Sequence, residues 1–126
     1  MKLSDAELEI MEKVWELGAP VTAAQLTERM AEKGWKPSTL LTFLARMVNK
    51  GALAVEKQGK QNLYRALVSA EDYRAQAARE LLGRYYSGSV KSMVAALYDG
   101  KGLSDGELAE LRAWLDEEVK GRISIV

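Results

Sequence analysis

One local pattern occurs four times in the 126 residues and fixes where helices start. A Ser or Thr is followed three positions later by Glu, Gln or Asp, at Ser4…Glu7, Thr22…Gln25, Ser69…Asp72 and Ser104…Glu107. This is the capping-box spacing: the hydroxyl accepts from the third-residue amide, and the third side chain accepts from the cap residue's own amide. Each box is framed by an apolar pair in the positions of a hydrophobic staple: Leu3 with Leu8, Val21 with Leu26, Val68 with Tyr73 and Leu103 with Leu108. The likeness between 3–8 and 103–108 is convergence on a good helix start, because the flanking sequences differ.

From these starts the 3.6-residue period predicts a helix over 5–17 with Leu8, Met11, Val14 and Trp15 inward, stopped at Gly18-Ala19-Pro20. A second helix is expected over about 23–33, with Leu26 and Met30 inward and Gly34 ending it. Pro37 suits the opening turn of a third, whose apolar face is Leu40, Phe43, Leu44 and Met47, with Gly51 just past its end. The period then changes. Residues 52–56 and 62–67 read as short strands joined by a loop at 57–61. Three helices and a hairpin, with a short link between the second and third helices, is the order of a winged helix-turn-helix. From Ser69 the pattern is helical again, in three modest helices.

The fold class expected is therefore mainly α with a small β-hairpin. An N-terminal winged helix-turn-helix occupies 1–68 and a C-terminal helical dimerisation domain 69–126. In the latter, Leu81, Tyr85, Val94, Leu97, Leu111, Trp114 and Leu115 lie on apolar stripes too extensive for three short helices to bury among themselves. A second copy of the chain is the expected cover, with a compact monomeric bundle as the alternative.

Composition removes most chemistry. Without Cys or His there is no imidazole base, no thiolate nucleophile, and neither of the two preferred zinc ligands. No phosphate-cradling glycine motif and no Ca²⁺ loop is present, so no metal, cofactor or enzymatic activity is expected. The acidic, amphipathic start is not a signal peptide and no apolar run is long enough to span a bilayer, so a soluble cytoplasmic protein is expected.

The net charge is zero, but its distribution is uneven. Residues 33–65 carry seven cations against Glu56 alone, a local net of +6, while 1–32 sum to −4 and 66–126 to −2. A basic segment in a neutral chain is the footprint of a nucleic-acid reader, or else a solvated basic face. In a helix-turn-helix the third helix enters the major groove. Its outward positions here are Ser38, Thr39, Leu41, Thr42, Ala45, Arg46 and Asn49. Ser38, Thr39 and Thr42 are adaptable base readers, though capping or plain surface would also account for them. Arg46 and Lys50 suit phosphates, and Lys57 and Lys60 flank the hairpin tip. Thr22 caps a helix whose amides offer a further phosphate contact. Trp35 reads as core rather than as a base-stacking platform.

The assembled residues resemble the penicillinase repressor family of bacterial regulators. The resemblance runs nearly the full length. It begins at Leu3-Ser4-Asp5-Ala6-Glu7 with Val14-Trp15, and continues through Pro20-Val21-Thr22-Ala23 and Trp35-Lys36-Pro37-Ser38-Thr39. It then takes in Lys50-Gly51-Ala52-Leu53, Gly88-Ser89, Lys91-Ser92-Met93-Val94 and Leu103-Ser104. It implies repression by a homodimer on palindromic double-stranded operators. Lys36, Ser38, Thr39, Thr42 and Arg46 then fall on the DNA-reading helix, and Lys57 and Lys60 in the wing. It also implies relief by a membrane sensor peptidase that leads to a cut in the dimerisation domain, here between Ala96 and Leu97, where cleavable relatives carry Asn-Phe. Leu41 stands where relatives often have a basic residue, and no cysteine-rich tail is present. The competing reading is a winged-helix module that docks an acidic protein through its basic hairpin and binds no DNA.

Overall fold

The computed structural model of the chain describes residues 1–18 and 20–123. The order is α1 (Asp5–Leu17), β1 (Val21–Thr22), α2 (Ala23–Arg29), a 3-10 turn (Ala31–Lys33), α3 (Pro37–Asn49), β2 (Leu53–Gln58), β3 (Gln61–Ala66), α4 (Ala70–Tyr86), α5 (Val90–Asp99) and α6 (Asp105–Ile123). The boxes at Ser4, Thr22 and Ser104 close in both directions. At Ser69 the hydroxyl accepts from the Asp72 amide at 3.0 Å.

The second helix is shorter than its periodicity suggests. Met30 leaves helical geometry at φ −103°, ψ 18° while burying its side chain, and the chain tightens into the 3-10 turn before left-handed Gly34. The hairpin is tighter than a five-residue loop. Pairing runs out to Gln58↔Gln61, which leaves Gly59 and Lys60 as the turn. Gly59 takes a positive φ of 64° at the first turn position, as a two-residue hairpin turn with glycine first requires. A two-residue strand joins them. Val21 pairs with Tyr64 and Thr22 with Leu63, for a sheet order β1-β3-β2.

Among the described residues the chain divides into two compact units, Met1–Ala77 and Ala78–Val126. The core of the first is made by Ile10, Met11 and Val14 of α1, Leu26 of α2, Leu40, Leu44 and Met47 of α3, and Val21, Leu53 and Tyr64 of the sheet. Ile10, not Leu8 or Trp15, is the fully buried partner of Met11; Leu8 and Trp15 sit half-buried at the rim. The Trp15 indole N–H donates to the Val68 carbonyl at 2.9 Å, and its ring lies 6.0 Å from that of Tyr73. Tyr73 is buried, and its hydroxyl accepts from the Leu3 amide at 3.2 Å. The first turns of α4 thus complete the N-terminal core, beyond the sequence-based boundary at 68/69.

The second unit has no buried side chain among its described residues. Val94 and Leu111 are half-buried, while Leu81, Tyr85, Leu97, Trp114 and Leu115 are exposed. Between α5 and α6 runs an open apolar groove of about 870 Å³, lined by Val90, Val94, Tyr98, Leu108, Leu111 and Leu115.

One charge lies inside the first unit. Glu7 is 1% exposed, and its Oε1 accepts from the Ser4 amide at 2.8 Å and from Lys50 Nζ at 2.5 Å. Lys50 Nζ also donates to the Lys2 carbonyl at 3.1 Å. Burial pushes the Glu7 carboxyl up, but the hydrogen bonds from Lys50 and Ser4 outweigh it and hold the group below its usual 4.5. A depressed carboxylate stabilises the fold above its ordinary range, and that contribution disappears as pH falls through the folded-state value. Lys50→Met should therefore cost about 2 kcal/mol at neutral pH. This is less than a fully buried pair would lose, because water reaches the lysine side. The deficit should shrink in acid, where Glu7 takes up its proton. Urea midpoints at about pH 7 and about pH 3 check both statements. Equal midpoints for variant and parent at neutral pH would show that the pair contributes nothing.

Candidate nucleic-acid interface

Helix α3 is anchored from beneath and open on top. Pro37 occupies its first turn, and Leu40, Leu44 and Met47 are buried at helical spacing. Trp35 packs against Phe43 with ring centroids 5.1 Å apart, tying the start of α3 to its second turn. That leaves Trp35 half-buried beside the core. Ser38, Leu41, Thr42, Ala45, Arg46 and Asn49 are exposed, while Thr39 is half-buried at the edge of the face. The Arg46 guanidinium lies 6.0 Å over the Phe43 ring, which directs this cation along one flank of the helix. Thr42 Oγ1 donates to the Ser38 carbonyl at 2.9 Å, so its hydroxyl proton is committed and it offers only lone pairs outward.

The wing carries Lys57 on β2, paired across from Asn62, and Lys60 in the turn itself; both are exposed. Arg65 on β3, opposite Ala54, adds an exposed cation that was not singled out from the sequence beyond the charge count. Lys36, the N-cap residue of α3, is exposed as well.

Two of the expected contacts have other duties. Lys50 is held by Glu7 and the Lys2 carbonyl, because a buried carboxylate needs a counter-charge. It ties α1 to the end of α3. Thr22 Oγ1 accepts from the Gln25 amide at 3.1 Å, and the Thr22 amide donates to Gln25 Oε1 at 2.8 Å, so its hydroxyl serves the cap. Lys33, part of the basic segment, is paired with Glu9 at 2.5 Å. The possible cleavage site lies inside α5. Ala96 O accepts from the Gly100 amide at 3.0 Å and Leu97 O from the Gly102 amide at 2.8 Å, so a protease must first unwind the end of that helix.

The sequence profile of the penicillinase repressor family matches residues 3–117. The chain belongs to the penicillinase repressor family. The family's penicillinase repressor from Bacillus licheniformis is 34% identical over 116 residues, covering 92% of this chain and 91% of the relative. The methicillin resistance regulatory protein MecI of Staphylococcus aureus strain N315 is 27% identical over 117 residues, covering 93% of this chain and 95% of the relative. Among solved structures, the DNA-binding domain of the repressor BlaI superposes with a TM-score of 0.51 at 32% identity, covering 57% of this chain and 88% of that one. Bacillus licheniformis BlaI in its monomeric form, in complex with the blaP half-operator, gives 0.50 at 31% identity, covering 58% and 89%. The winged-helix architecture of this family member is thus shared with a DNA-bound relative. Apo MarR from E. coli, at 16% identity and a TM-score of 0.51, shares the fold alone.

Proposed function

We propose that the chain is a sequence-specific DNA-binding transcriptional repressor that acts as a homodimer on palindromic operators. Each protomer lays α3 in the major groove of one half-site, while Lys57 and Lys60 grip the backbone beside it. The observation that carries the DNA reading is the outward face of α3: short neutral side chains, Ser38, Thr42 and Ala45, flanked by Lys36 and Arg46, on a helix fixed by three buried residues. Short side chains let the helix approach base edges, and flanking cations meet the phosphates. The second unit supports the dimer, since among its described residues the apolar stripes are exposed. Its relatives are regulators rather than enzymes. No described helix is long and apolar enough to cross a membrane, so a membrane sensor peptidase would be a separate protein acting on this one. A cut at Ala96–Leu97 by such a peptidase, after local unwinding, would separate α6 from the rest and dismantle the dimer's surface.

Reading and gripping are separable by experiment. Thr42→Ala should cost about 1–3 kcal/mol on the operator and little on random duplex, because it removes a base-edge contact. Lys60→Ala should weaken both duplexes by a similar factor and lower the salt slope by about one. Titrations of both variants against both duplexes decide it. An equal loss on the two duplexes for Thr42→Ala would take α3 out of the groove.

A further inference from the structure

We infer that Leu41 is a specificity residue that reads the C5-methyl of a thymine in each half-site, an inference that rests on the DNA-binding reading above. Leu41 is 49% exposed on the second turn of α3, where no core position claims it. It shares a stripe with Ser38, Thr42 and Ala45, three residues back and one and four residues on. A leucine exposed on an ordinary surface needs no explanation. On a helix that faces base edges it has a defined complement.

That complement follows from what Leu41, Thr42 and Ala45 offer. The Thr42 proton is committed to the Ser38 carbonyl, Ala45 has no polar atom, and Leu41 has none. Together these three offer the groove apolar surface and acceptor lone pairs, but no donor. Guanine shows only acceptors, N7 and O6, in the major groove, but its partner cytosine shows the N4 amino donor, so the Thr42 lone pairs alone do not separate G·C from A·T. An A·T pair shows a thymine methyl and the adenine N6 amino donor, which match a leucine and the free lone pairs of Thr42. What separates the two pairs for these side chains is the thymine methyl, which Leu41 covers. A basic residue at the same position would instead favour guanine or a phosphate.

The test uses the full-length protein and duplexes enriched by it from a randomised pool. In the tightest duplex each thymine is replaced singly by uracil, which removes only the methyl. Burying one methyl-sized group accounts for about a fourfold change in affinity. The parent protein should lose about three- to fivefold at one thymine per half-site, and Leu41→Ala should show almost no loss at that same position. The Leu41→Ala variant should keep the parent's helical circular dichroism and its salt slope. If every uracil replacement is neutral, or if Leu41→Ala retains the same pattern of losses, the assignment of Leu41 is wrong while DNA binding stands. If no duplex is enriched at all, the DNA-binding reading falls and this one with it.

Discussion

Raising salt from about 50 to about 200 mM should weaken operator binding by about 10³–10⁵-fold. The chain as a whole is neutral, so this steepness has to come from how its cations are placed. Of the seven cations in residues 33–65, Lys33 is engaged by Glu9 and Lys50 by Glu7. Lys36, Arg46, Lys57, Lys60 and Arg65 have no carboxylate partner among the described residues and stand exposed on α3, the wing and its flanking strand. In the proposed dimer two copies would bring this set to a palindrome, enough for about 6–10 phosphate contacts. Each contact releases condensed counterions, and that release is what added salt opposes. Fluorescence anisotropy with a labelled operator duplex across this range gives the slope directly. A response that stays within about tenfold would sink the DNA reading and favour an acidic protein as the partner of the basic hairpin.

Helix starts were legible because a capping box is written in four consecutive residues and its chemistry is local. The α3 face was legible for the same reason: one period and one proline define which side is buried. What the sequence concealed was long-range. Lys50 looks like any other cation in a basic segment, and its partner Glu7 lies 43 positions away. Glu7 is itself hidden, since its part in the Ser4 box is reason enough for a glutamate there, and nothing local announces that the same carboxylate is buried. β1 is two residues long, too short to show an alternation, and exists because β3 offers Val21 and Thr22 an edge. Tyr73 sits in a box-and-staple context that predicts a helix start, but the hydrogen bond to the Leu3 amide closes over 70 positions. That bond is why the N-terminal core extends into α4.

Removal of everything after Ala77 should leave a folded monomer whose operator affinity is about 10²–10⁴-fold lower than that of the whole chain. The place of the cut matters. Ending at Val68 would remove Tyr73, exposing the Trp15 rim and orphaning the Leu3 amide, and would remove Gln76, whose Nε2 donates to the Met1 carbonyl at 2.7 Å. Ending at Ala77 keeps the first unit whole, and every buried hydrophobic side chain of the described residues lies within it. The loss of affinity needs no lost DNA contact. When two reading heads are joined, the second binds at the high effective concentration set by the first, and a monomer forfeits that gain. The exposed residues that would go with the removed part, Leu81, Tyr85, Leu97, Trp114 and Leu115, are the apolar side chains that a second copy would cover in the proposed dimer. Sedimentation of fragment and whole chain at equal concentration measures the assembly, and titration of the same operator measures the affinity. A single-site half-operator should bind the two proteins nearly alike, because only the coupling between heads has been removed. A 1–77 fragment that sediments as a dimer, or that matches the whole chain on the full palindrome, would move the interface into the first unit.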